Sequence, residues 1–70
     1  MMPLILAEPG EENIVKKVCG NPEVKKHLED LGFVSGSTVA IISATNGNVI
    51  VNVKDTRVAI SHALSQKIMI

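Results

Sequence analysis

"HLEDLGFVSGSTVAI", residues 27–41, is where this chain changes period. Before Gly32 the apolar residues recur at helical spacing; after Gly36 they crowd together as in a strand. The stretch "NPEVKKHLEDL" predicts a helix over residues 22–31. Asn21 offers its side-chain oxygen as the cap, Pro22 suits the first helical position, and Glu23 sits in the positive first turn. Val24, Leu28 and Leu31 share one face. Gly32 is expected in the left-handed conformation that ends a helix, with Phe33 folding back on Leu28. Gly36 then lets the chain turn sharply into the first strand of a hairpin.

Downstream, "STVAIISA" and "NVIVNV" are joined by Asn46-Gly47, the strongest two-residue hairpin signal, because both residues tolerate positive φ. A regular ladder from that turn pairs Ala44 with Val49, Ile42 with Val51 and Ala40 with Val53, which places these apolar residues on one face. A second two-residue turn at Asp55-Thr56 extends the face into "RVAI", with Val53 opposite Val58 and Val51 opposite Ile60. It also sets Lys54 opposite Arg57, an unfavourable like-charge pair. Ser61 can cap a short helical turn over about residues 62–66, followed by a last strand, "KIMI". Upstream, Pro9-Gly10 forms a turn between the apolar run Leu4 to Leu6 and a strand "NIVKKVC", residues 13–19. This is a mainly β fold: a small, strongly bent antiparallel barrel with one helix, whose closure would remove exposed edges. In this register Val39, Ile41 and Ile50 lie on the far side of the hairpin. They must pack under the helix, under the N-terminal strand, or against a partner. Together with Phe33 and Val34 at the helix end, they form the expected partner surface.

Seventy residues suit a single domain, 1–70. Cys19 is the only cysteine, so no disulfide within the chain can support the fold. Stability has to come from aliphatic packing, and 46% of the residues are hydrophobic. A lone thiol and the absence of a signal peptide point to the cytoplasm. "MMPLILAEPG" is too short for a membrane span and has no basic residue before its apolar run. Seven basic residues balance seven acidic ones, and Phe33 is the only aromatic. Nucleic-acid binders usually carry a basic excess, and single-strand readers add stacking aromatics.

The residues offer little chemistry. Ferrous sites favour two His and a carboxylate. The candidate ligands are Cys19, His27 and His62, with Glu23 and Asp30 near His27 in sequence, but no Cys-x-x-Cys or His-x-x-x-His spacing joins them. No closed metal site and no cofactor are expected, and any transition-metal contact should be weak. Ser61 and His62 are sequence neighbours, which rarely brings side chains into the geometry of a nucleophile and its base. "GNPEVKK" lacks the Gly-Lys-Ser/Thr of a phosphate loop. Neither catalysis nor nucleotide binding is expected.

"LEDLGFVSG" resembles the L-x-x-L-G-F-x-x-G signature of the FeoA family, through Leu28, Leu31, Gly32, Phe33 and Gly36. The likeness extends over nearly the whole chain, from "MPLILAEPGEENIVKKV" through "GNVIVNV" to "RVAISHALSQKIMI". It implies an SH3-like β-barrel and a small cytoplasmic accessory of ferrous iron uptake. The implied partner is the cytoplasmic side of an FeoB-type membrane transporter. Similar domains also end some metal-dependent transcriptional repressors. The alternative from another class is a nucleic-acid- or ribosome-binding small barrel; fold alone does not separate the two.

Overall fold

Helix α1, Pro22–Asp30, is closed at both ends by its own sequence. The Asn21 side-chain oxygen accepts the Val24 N–H at 2.9 Å. At the other end the Gly32 N–H donates to the Glu29 carbonyl and the Phe33 N–H to the Leu28 carbonyl, both at 2.9 Å. This nested pair of bonds satisfies carbonyls that the last turn would otherwise leave open. Gly32 has φ 111°, as its place in the motif requires. Leu31 serves as the C-cap with a right-handed backbone, so the helix is one residue shorter than predicted. Leu28 and Phe33 are fully buried in the core, and Val24 and Leu31 pack against it.

The computed structural model describes all residues from Met1 to Ile70. After a 3-10 turn at Leu4–Leu6 come β1 (Glu12–Ile14), β2 (Lys17–Val18), α1, β3 (Thr38–Ala44), β4 (Asn48–Val53), β5 (Thr56–Ser61), α2 (His62–Ser65) and β6 (Ile68–Met69). They form two antiparallel sheets, one in the order β1-β3-β4-β5 and the other pairing β2 with β6. The two sheets enclose one core as a small, barrel-like fold.

The strand expected over residues 13–19 breaks at Val15–Lys16 and serves both sheets. β1 pairs with β3, and β2 turns away to pair with β6. At the corner Val15 is 1% exposed. Its N–H donates to the Ser37 carbonyl at 2.9 Å, its carbonyl accepts the Gly36 N–H at 2.8 Å, and the Lys16 N–H reaches the Met69 carbonyl at 2.8 Å. The chain therefore changes sheets without leaving backbone groups unpaired. Gly36, with φ 94°, makes the turn into β3. Met2 and Ile70 exchange two backbone bonds, at 2.9 and 2.8 Å, beside the smaller sheet.

The hairpin register differs from the regular one. Ala44 pairs with Val49 as expected, but the ladder shifts between Ile41 and Ser43, so that Ile41 meets Val51, Ala40 meets Asn52 and Val39 meets Val53. Ile42 is the extra residue of a β-bulge, which reverses the inside–outside parity of everything before it. Val39 and Ile41 thereby enter the core, at 0% and 2% exposure, while Ala40 and Ile42 turn outward. The bulge exchanges Ala40 for the larger Val39 in the interior, in line with burying more apolar surface.

The second turn also shifts. Val53 pairs with Thr56, Val51 with Val58 and Asn52 with Arg57, so the turn residues are Lys54 and Asp55 rather than Asp55 and Thr56. Both have positive φ, 51° and 61°, the backbone of the turn that matches strand twist. The expected Lys54–Arg57 apposition does not occur: Arg57 faces Asn52, which removes the like-charge cost. Gly47, by contrast, lies outside the left-handed region.

Candidate interaction surface

Of the expected partner surface, Phe33, Val39 and Ile41 belong to the core and are unavailable to a partner. The bulge accounts for Val39 and Ile41; the helix-ending motif accounts for Phe33. Val34 and Ile50 are half-buried. What remains open is the outer face of the four-stranded sheet. Glu12, Ala40, Asn52 and Arg57 stand in one row across its strands, and Ser43, Ile50 and Ala59 in another. Two large apolar residues of this sheet are exposed, Ile14 at 49% and the bulged Ile42 at 39%.

Alternation in "NIVKKVC" does not single out Ile14. Its neighbour Val15 is buried at the corner, so the residue before the bend keeps the outward face of β1. Ile42 is outward only because of the bulge, for which no local residue type is a marker. A second exposed apolar group, Met1, Met2 and Leu6, lies in the N-terminal segment.

One shallow depression, of about 330 Å³, adjoins the first row and is lined by Glu12, Thr38, Val39, Ala40, Asn52, Lys54 and Asp55. It offers carboxylates, an ammonium and neutral hydrogen-bonding groups, but no His, Cys or Ser. Such a lining can receive a polar side chain or a backbone segment at the rim of an apolar contact.

The candidate metal ligands are not brought together. His27 is exposed on α1, His62 is the half-buried first residue of α2, and Cys19 is half-buried just beyond β2. Nowhere do three His, Cys, Asp or Glu side chains form a group that could hold a metal ion. Ser61 and His62 act structurally. The Ser61 hydroxyl oxygen accepts the Leu64 N–H at 3.2 Å, capping α2, and the His62 carbonyl accepts the hydroxyl of buried Ser65 at 2.7 Å. No helix is long and apolar enough to cross a membrane.

Against known proteins, the model of the FeoA domain family matches residues 2–70. A protein of Methanocaldococcus jannaschii provisionally named Fe(2+) transport protein A is 39% identical over 70 residues, which span 100% of this chain and 85% of that protein. Among solved structures, the crystal structure of an iron uptake regulatory protein, FeoA, superposes with a TM-score of 0.88 at 26% identity, covering 96% of this chain and 91% of that one. FeoA of Stenotrophomonas maltophilia, crystallised with zinc and described as an SH3 domain protein, superposes with a TM-score of 0.84 at 23% identity, over 99% and 88% of the two chains. At that identity the likeness concerns the fold.

Proposed function

This chain belongs to the FeoA family, and from that membership we propose that it is a non-catalytic accessory of ferrous iron uptake that docks on the cytoplasmic side of an FeoB-type transporter. The observation that carries the docking is the outer face of the four-stranded sheet, where Ile42 is exposed next to half-buried Ile50, and Ile14 is exposed on β1 beyond the Glu12–Arg57 row. Contact surfaces commonly set a few apolar anchors among polar groups, and those anchors set the affinity. Glu12, Asn52 and Arg57 supply the polar groups as a row between the two apolar spots, with Lys54 beside it. In this reading iron is the transporter's cargo. The accessory acts through contact, and it needs neither a pocket nor a bound metal.

The test is capture of this protein by the cytoplasmic portion of a ferrous iron transporter, comparing the natural chain with Ile42→Glu. Ile42 is exposed at a bulge, so the variant should fold, which its amide spectrum would verify. Binding is expected to weaken tenfold or more, about 1.4 kcal/mol, when a charge replaces an anchor. Equal binding by both chains would move the contact elsewhere on the surface. No binding by the natural chain, with normal low-oxygen iron uptake in a deletion strain, would refute the docking altogether.

A further inference from the structure

β5 is the outer strand of the larger sheet, and one of its sides is open. Its ladder with β4 runs without a bulge from Val53–Thr56 to Asn48–Ser61. In a hairpin closed by a two-residue turn, the residues flanking the turn exchange both backbone bonds, and every second pair does so thereafter. Thr56, Val58 and Ile60 therefore aim their N–H and C=O groups at β4. The His62 N–H continues the series, donating to the Gly47 carbonyl at 3.3 Å. Arg57 and Ala59, both exposed, point their backbone groups away from the sheet, as does the Ser61 N–H. Natural edge strands are usually blunted by bulges, prolines, several charges or brevity. β5 spans six residues, contains no proline, and carries Arg57 as its single charge. The opposite edge, β1, is three residues long and runs into the corner, so it is poorly suited to template a further strand.

We propose that the open edge is a self-association site, with β5 pairing antiparallel to β5 of a second copy and Ala59 opposite Ala59. The register follows from the side chains. Centring on Ala59 places Arg57 opposite Ser61 of the other copy, and the two Arg57 Cα positions lie about 13 Å apart along the strands. Sliding until Arg57 meets Arg57 would set like charges face to face. In the Ala59 register the two Ala59 residues exchange their N–H and C=O bonds, and each Ser61 N–H meets the Arg57 carbonyl of the other chain. The Ser61 carbonyl stays with α2, which it opens as N-cap. With seven charges of each sign per chain, two copies approach without net repulsion. Pairing makes one continuous sheet and joins the outer faces that bear Ile50 and Ala59. The contact is small, below about 1,200 Å², so the dimer forms at high concentration and exchanges rapidly.

Sedimentation of the natural chain from about 10 µM to about 1 mM tests this by mass action. The weight-average mass should climb from one chain toward two, with amide protection growing at Ala59 and Ser61. A disulfide probe tests the register in a Cys19→Ser background. Ala59→Cys should give a covalent dimer under mild oxidation, because facing residues of a hydrogen-bonded pair are about 5.5 Å apart, within disulfide reach. Arg57→Cys should not. A single-chain mass at about 1 mM, or equal cross-linking of the two cysteine variants, would overturn the proposal. Protection of the same amides only on addition of a different protein would assign the edge to a foreign strand instead.

Discussion

At Gly32 the backbone angle, not the available room, excludes a side chain. A Cβ there would sit 3.6 Å from Val53 and Lys54 side-chain carbons, ordinary contact distances, but φ is 111°. Gly32→Val should lower stability by about 2–3 kcal/mol, read as a fall in the urea midpoint with an unchanged slope. Gly47 is the counter-case. Its φ is outside the left-handed region and a Cβ would meet nothing within 4 Å. Gly47→Ala should therefore be neutral or stabilising by up to about 1 kcal/mol, through reduced freedom of the unfolded chain. The left-handed turn falls instead on Lys54 and Asp55, residue types that resist it more than Asn-Gly does. Replacing that pair with Asn-Gly should raise the thermal midpoint, by about 1 kcal/mol in stability terms.

Among the elements, α1 was the most legible because its signals are local. Asn21, Pro22, Gly32 and Phe33 each act within a turn of their own position, and each does in the structure what its residue type suggests. The β3–β4 hairpin was legible in extent but not in register. Both the regular ladder and the bulged one begin at Ala44–Val49, and they diverge only at Ile42. The bulged register makes a sharp prediction that the regular one reverses. Ile41→Ala should cost about 2–4 kcal/mol, as expected for emptying a core site, whereas Ile42→Ala should cost less than about 1 kcal/mol. Denaturant titration of both variants checks it, and amide contacts between Ile41 and Val51 would confirm the pairing.

The whole molecule is held closed by strands far apart in sequence. β2 pairs with β6, and Met2 with Ile70. Removing Ile68–Ile70 would delete this closure together with two core residues, Ile68 at 0% and Ile70 at 7% exposure. A domain of this size has roughly 4–10 kcal/mol of stability, and each buried isoleucine accounts for about 1.5–3 kcal/mol. The truncated chain should be largely unfolded at room temperature by circular dichroism and amide dispersion. Burial at this scale also bears on the nucleic-acid alternative. Phe33, the only Phe, Tyr or Trp in the chain, is 0% exposed, which leaves none of these rings to stack on a base. With balanced charge as well, the protein should pass through heparin at moderate salt without retention.

The residues by themselves determined the helix and both its ends, the positions of the hairpin strands, and the barrel class. These follow from caps, turn residues and apolar spacing, which act over a few positions. The motif through Leu28, Leu31, Gly32, Phe33 and Gly36 also carried the family likeness. Only the tertiary structure decided which face of β3 is the inner one, where the first long strand bends, and which turn takes the left-handed backbone. The physical reason is common to all three. A strand has two chemically similar faces, and its parity is settled by the total burial achieved when both sheets close around one core. That closure drew Phe33, Val39 and Ile41 inside and left Ile14, Ile42 and the edge of β5 open to a partner.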